Sequence, residues 1–381
     1  MNASGMKEGA ALRALEQWTA FYETLHPPLV IIICTLGVMS NVTIVMVLSR
    51  KEMRSATNLL LLSLAISQLC LLLNYLYITV YKIIADVQCN AKLWSFDWAA
   101  LLLLNVNFCV VFHTAAVFHV MAISLVRFLT VTLYSKRQGP WLSSSRAVHL
   151  ASAIYALVLL MCIPFYLNSE VVRDDFSKIQ CLAMDADNNT LLPPAAAVYT
   201  IRYSQLARST ALLQINFWLF GILCKLVPCA TILLCSTGLL LRLRQFQARA
   251  DTLRMPLSAA ASTPGTEGPR LPHRRRRLSR TNHMILIVMG LFLLVELPQG
   301  IMNLLMGMGG PRVARLFAPV GDLFEMLTVA YSSVNFAVFA AMSSQFRSGF
   351  KALLKGLGGG QTEEEGWLPL PTELSSLCRK R

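Results

Sequence analysis

The sequence predicts an all-α membrane protein: a bundle of seven transmembrane helices followed by a short amphipathic helix. Three observations predict it. Apolar residues make up 55% of the chain and charged residues only 14%, with a mean hydropathy of +0.54, which leaves too little polar side chain to cover a soluble domain. Seven runs are each long enough for the roughly 20 mostly apolar residues a helix needs to cross a bilayer. No run alternates with period two as the strands of a membrane barrel do, so the spans are helical.

The segments lie near 28–49, 58–84, 98–131, 147–168, 211–242, 283–306 and 316–342. The first follows a stretch without a basic start, short apolar run and cleavage site, so it is expected to act as its own insertion signal. Segment three carries Asn105, His113, His119 and Arg127. At 100° per residue Asn105, His113 and Arg127 fall within about 120° of one another, a polar stripe on one face. His119 is expected to be a core residue hydrogen-bonded to neighbouring backbone. Segment five carries Lys225 three residues before Pro228, and segment six carries Glu296 two residues before Pro298. Both ionisable groups therefore sit near mid-membrane on adjacent segments. A lone charge at that depth neutralises or finds a partner, so Lys225 and Glu296 are expected to pair, directly or through water. The prolines free backbone carbonyls and permit kinks. Asn303 shares a face with Glu296, and Gln299 lies about 60° away. Asp322 and Glu325 stand at the outer end of segment seven. Behind it, "SSQFRSGFKALLKGL" (343–357) sets Phe346, Phe350, Leu353, Leu354 and Leu357 on one face and Arg347, Lys351 and Lys355 on another, an amphipathic helix for the inner interface.

Orientation follows Lys and Arg. With the N-terminus outside, the inner side receives "SRKEMR" (49–54), Lys136, Arg137, Arg146 and the basic loop that contains "HRRRR" (273–277). The net charge of +14 is then an inside-facing bias toward anionic lipid or a cytosolic partner, not a nucleic-acid footprint. The expected division is an extracellular stretch 1–26, a membrane domain 27–343 interrupted by a disordered basic loop 244–280, the amphipathic helix 344–357 and a flexible cytoplasmic tail 358–381, in the plasma membrane. The tail offers Ser375 and Ser376 to kinases. Of ten cysteines, Cys89 and Cys181 alone fall in outer segments, where an oxidising compartment favours a disulfide between them. Asn2 and Asn188 begin outer Asn-x-Ser/Thr sequons and are expected to carry glycans.

The motifs resemble those of rhodopsin-like G-protein-coupled receptors over nearly the whole chain. "GVMSN" ends in Asn41, matching the family's segment-one asparagine, and "TNLLLLSLAIS" resembles its second-segment signature. "SLVRFLTV" aligns with the Asp-Arg-Tyr box, so the resemblance makes Arg127 the G-protein contact. "SSVNFAVF" aligns with the Asn-Pro-x-x-Tyr box, with Asn335 matching. The departures are Val126 for the acid of the arginine box, Gln68 for the segment-two aspartate, Phe336 and Phe339 for the segment-seven proline and tyrosine, and Glu296 for the usual tryptophan. Leu102 stands where segment three normally carries its cysteine, so Cys89 would bond Cys181 from further upstream. "NFWLFGILCKLVPC", "ELPQGI" and "VGDLFEML" resemble the myosuppressin, FMRFamide-type and sex-peptide receptor group.

That resemblance implies a receptor for a short, C-terminally amidated peptide, signalling through a heterotrimeric G protein, often an inhibitory one. Arrestin and receptor kinases would be further partners. No cofactor is implied. An Arg-Phe-amide terminus needs a carboxylate, for which Glu325 is first choice and Asp322 second. Asn105, His113, Asn216 and Gln299 are the other pocket candidates. Other classes fit less well. There are no paired catalytic carboxylates, zinc motif, phosphate loop or nucleophile elbow for an enzyme. A proton-coupled transporter draws only on the buried Lys, Glu and His. A receptor for a non-peptide ligand is the serious competitor.

Overall fold

A computed structural model describes residues 3–88, 91–133, 142–175, 197–260 and 273–358. Helix α1 spans Ala3–Leu48, α2 Ala56–Gln88, α3 Phe96–Leu133 and α4 Ser144–Met161, with a short α5 at Ile163–Tyr166. Strands β1 (Ser169–Asp175) and β2 (Ala197–Tyr203) form an antiparallel hairpin that pairs Ser169 with Tyr203 and Asp175 with Ala197. After α6 (Gln205–Ser209) come α7 (Leu212–Trp218), a π-helical turn over Leu219–Leu226, and α8 (Val227–Ala260), which together make one span. Helices α9 (His273–Met342) and α10 (Ser344–Gly358) complete the chain.

Among the described residues seven helical stretches are long and apolar enough to cross a membrane: Thr24–Leu48, Ala56–Ala85, Phe96–Leu133, Ser144–Met161, Leu212–Gln245, His283–Gly309 and Val320–Ala341. They fall within a few residues of the runs read from the sequence, except that the fourth stops at Met161. There α4 ends at Cys162, and Pro164 opens α5, where its missing amide donor does no harm. The helices also extend past the expected boundaries. The first begins at Ala3, inside the stretch expected to precede the membrane. Helices α8 and α9 run into both ends of the loop expected to be unstructured, as far as Ala260 and from His273. The residues after Arg242 are good helix formers (Arg, Gln, Ala, Leu) up to Pro256, and a helix already nucleated in the membrane propagates through them.

Spans six and seven both fall within the helical residues His273–Met342 of α9. They nevertheless pack antiparallel. Phe292 lies edge-on to Tyr331 with ring centroids 5.7 Å apart, while Glu296, one turn further along, faces the same void as Thr328, nearly one turn earlier. The inner half is a single apolar core that joins α1, α2, α3, α4, α8, both spans of α9 and α10, with Phe292, Phe346, Ile44, Leu60 and Ile232 almost fully buried. Two polar clasps tie it across helices. Asn41 Nδ2 donates to Gly37 O (2.9 Å) and Ser332 O (3.0 Å), and Asn335 Nδ2 donates to Gln68 Oε1 (2.8 Å). Gly37 permits the first: a Cβ there would collide with Ser333 Oγ.

His119 is fully buried between α2 and α3, with Nδ1 on Ala115 O (2.6 Å) and Nε2 on Ser63 Oγ (2.8 Å). The carbonyl can only accept, so Nδ1 carries the proton and Ser63 donates to Nε2. Helix α10 folds back on α1. Phe346 and Leu353 are buried, Phe346 packs on Phe336 and Phe339, and Gly349 lies against Val47. Arg347 Nη1 donates to Ala340 O (3.1 Å) and Ala341 O (2.9 Å), satisfying open carbonyls at the end of α9.

Candidate functional site

The two mid-membrane charges meet. Lys225 Nζ donates to Glu296 Oε2, and the side chains are only 6% and 1% exposed. Sequence depth alone does not show what else is there. The same ammonium reaches Gln299 Oε1 at 2.5 Å and His113 Nε2 at 2.5 Å. An ammonium has three protons and no lone pair, so Glu296, Gln299 and His113 occupy its full donor capacity. His113 Nε2 must therefore accept, which makes this histidine neutral with its proton on Nδ1. Its Nε2 also lies 3.4 Å from Glu296 Oε2.

Local backbone puts Lys225 there. It lies in the π-helical turn, where Val227 N reaches back five residues to Ile222 O. Such a turn widens the helix and re-aims the side chains after it. Two glycines let the spans close on each other. A Cβ on Gly300 would fall 2.9 Å from Lys225 Cβ, and one on Gly221 would fall 3.2 Å from Leu304 N.

Above this cluster lies a cavity of about 410 Å3. Its floor is His113, Lys225 and Gln299, and its walls include Asn216, Asn303 and Glu325. Ser169 and Tyr203 of the hairpin also line it, which puts its mouth on the hairpin side. Aromatic and apolar groups such as Phe165, Phe217 and Phe220 fill the spaces between, the usual build of a ligand pocket. Glu325 is crowded by protein and yet solvent-accessible, as a side chain on the wall of an internal cavity must be. Tyr75 lines the same cavity. A much smaller void lies beneath the cluster, bounded by Gln68, Phe292, Glu296, Tyr331 and Ser332. His113 touches both spaces, so the cluster is the partition between cavity and inner core.

Not every candidate residue reaches this cavity. Asn105 and Asp322 are absent from its lining. Asn105 is half-buried on α3 with its Oδ1 lacking a partner. Asp322 faces α1, where Tyr22 donates to the Asp322 carbonyl at 3.3 Å and His26 Nδ1 meets the Tyr22 hydroxyl at 3.0 Å. Burial, then the Asp322 and Glu325 carboxylates, hold the Tyr22 phenol above its usual pKa. Arg127 lies at the opposite end of α3. It makes no ion pair among the described residues, its Nε is buried without a partner, and Val126 beside it is buried. Cys89, Cys181, Asn2 and Asn188 lie outside the described residues. Sequence reasoning missed Tyr75, Asn168, Tyr203 and Thr328, all on the cavity wall. Tyr75 and Thr328 are ordinary residues of apolar helices, and Asn168 is a lone amide between a helix and a strand, so none carries a periodic signal.

Among the described residues no group of His, Cys, Asp and Glu is arranged to hold a metal ion. What remains is a seven-helix membrane protein with a largely apolar cavity, set with a few polar side chains, above a buried charge cluster. The chain belongs to the family described as Serpentine type 7TM GPCR chemoreceptor Srw, which matches residues 28–356. It is therefore a multi-pass membrane receptor of the G-protein-coupled type and not an enzyme. It is similar to the G-protein coupled receptor dmsr-1 of Caenorhabditis elegans, 27% identical over 353 residues, covering 87% of this chain and 68% of that protein. It is also similar to the Neuropeptide F receptor of Drosophila melanogaster, 23% identical over 328 residues, covering 85% of this chain and 61% of that protein.

Proposed function

We propose that this chain is a rhodopsin-like receptor for a short, C-terminally amidated neuropeptide, of the myosuppressin, FMRFamide-type and sex-peptide group, and that it activates a heterotrimeric G protein of the inhibitory type. The observation that carries the reading is the cavity itself: a carboxylate, Glu325, on its wall, and a floor made by the Lys225 cluster. The similarity to a receptor named for a neuropeptide supports it. The peptide enters from the hairpin side, which is the extracellular face together with the N-terminus. Glu325 takes an arginine of the ligand, while Gln299, His113 and Asn216 form the floor and near wall. Asp322 and Asn105 act from outside the cavity on its mouth. Lys225 and Glu296 hold spans five and six in the resting arrangement.

On the cytoplasmic side Arg127 meets the G protein, the basic edges bind anionic lipid, and the tail serves receptor kinases and arrestin. Cys89 and Cys181 form the outer disulfide, and Asn2 and Asn188 carry glycans. A receptor for a small non-peptide ligand is the second reading, favoured by the chemoreceptor description of the family. Co-expression with a promiscuous G protein and a calcium readout separates the two. A panel of amidated peptides is expected to contain an agonist at submicromolar concentration. Activation only by non-peptide odorants or metabolites would replace the first reading with the second.

A further inference from the structure

Of the three ionisable groups in the cluster, the imidazole is the most exposed. The side chain of His113 is 19% exposed, against 6% for Lys225 and 1% for Glu296, and it lines the cavity. Its part in the cluster depends on a lone pair. Nε2 accepts from the Lys225 ammonium at 2.5 Å, and an imidazole that has taken up a second proton has no lone pair left to accept with. Two cationic donors then face one another with a single carboxylate oxygen to share: Glu296 Oε2 receives Lys225 and stands 3.4 Å from His113 Nε2. The arrangement therefore holds only while the ring is neutral. The other titratable groups that line the cavity or the void beneath it are Tyr75, Cys109, Tyr203, Glu325 and Tyr331. Phenols and thiols are already protonated at neutral pH, so among these five acid acts on the carboxyl of Glu325.

Resting on the reading that Lys225 and Glu296 hold spans five and six in the resting arrangement, we infer that His113 makes the receptor a sensor of extracellular acid: a proton taken up by its Nε2 releases the Lys225 cluster and favours the active arrangement. The proton acts by capture. When the cluster opens, Nε2 leaves the ammonium and takes a proton from water entering the cavity, and the imidazolium cannot return to its place beside Lys225. It donates to Glu296 instead, which trades a tie between spans five and six for one between α3 and span six. Peptide and proton then work on the same partition, one by filling the cavity and the other by removing an acceptor from its floor.

The test is external acidification of cells that express the full chain, without peptide and at fixed cytosolic pH. G-protein dissociation is read by energy transfer inside the cell, and the signal of receptor-free cells is subtracted. One proton shifts an equilibrium by at most about tenfold per pH unit, so basal dissociation is expected to rise about tenfold between about pH 7.5 and about pH 5.5. His113→Gln offers Lys225 an acceptor that does not titrate, and Lys225→Met removes the donor. Both, checked for surface expression, are expected to show no rise with acid. Glu325→Gln removes the carboxyl on the cavity wall and His26→Gln the histidine near the start of span one; both are expected to keep the rise. A parent unchanged by acid, a rise that survives His113→Gln or Lys225→Met, or one lost with Glu325→Gln or His26→Gln overturns the inference. The tie fails separately. A flat parent beside a Glu296→Gln receptor with raised basal activity keeps the tie and removes the proton site. An acid response that needs His113, beside a Glu296→Gln receptor no more active than the parent, does the reverse.

Discussion

Replacing Lys225 with methionine removes one charge from the buried cluster and leaves the other three groups where they are. Glu296, 1% exposed, loses its ammonium partner and is left with His113 Nε2 at 3.4 Å. Gln299 Oε1 and His113 Nε2 each lose the donor held at 2.5 Å. Breaking a buried ion pair from one side costs about 3–5 kcal/mol, and two acceptors left dry add about 1 kcal/mol each where water cannot reach. Gln299 and His113 open on the cavity and are rehydrated, so the loss is expected near the ion-pair figure, about 3–5 kcal/mol. Glu296→Leu alone strands the ammonium instead and is expected to lose a similar amount. The double variant Lys225→Met/Glu296→Leu strands neither charge, and its loss is expected to fall below that of either single change. The coupling in the cycle is then at least about 3 kcal/mol, since the sum of the singles less a smaller double loss exceeds one single loss. Thermal melting of the four receptors in one nanodisc composition measures this. Single variants as stable as the parent, or a double loss equal to the sum of the singles, would refute the reasoning.

Further predictions follow from individual contacts. Glu325→Gln is expected to weaken an arginine-containing agonist by about 10- to 100-fold, the worth of one charge-assisted hydrogen bond, and to spare the analogue with citrulline in its place; competition binding checks both. Gly37→Val drives a side chain into the space that Ser333 Oγ already fills and is expected to lower stability by about 1–3 kcal/mol, seen as a lower melting temperature. Arg127→Ala is expected to abolish agonist-stimulated nucleotide exchange on the G protein while agonist affinity, measured without G protein, stays within threefold.

How much of this was legible without coordinates differs from residue to residue. The spans were, because the bilayer demands long apolar runs and nothing in the chain competes with that signal. Their ends were less so: α8 and α9 extend beyond the membrane through residues whose helix propensity exceeds what their charge suggests. For Lys225 and Glu296, the prolines gave a common depth, and the high cost of an isolated charge then argued for a partner. The other two ligands of the ammonium were not legible. Helical periodicity at 100° per residue fails across a π-turn, so the direction of Lys225 relative to His113 and Gln299 had no sequence rule. Asp322 and Glu325, three residues apart, illustrate the same limit. Both mark the outer end of span seven, but only the packing of α1 against α9 sets the Asp322 backbone carbonyl against Tyr22 and Glu325 on the cavity wall.

The Lys225 cluster stands between the outer cavity and the inner core, and its role as a link between them can be tested without any ligand. Glu296 lies below the floor and outside the cavity lining, so Glu296→Gln keeps the shape of the cavity while loosening the tie between spans five and six. Basal guanine-nucleotide exchange on a G protein, catalysed by the purified receptor in nanodiscs, measures the outcome directly. A rise on the order of tenfold, equivalent to about 1.4 kcal/mol in the resting equilibrium, is the predicted result. Exchange unchanged from the parent, in a variant that is folded and inserted, would contradict it.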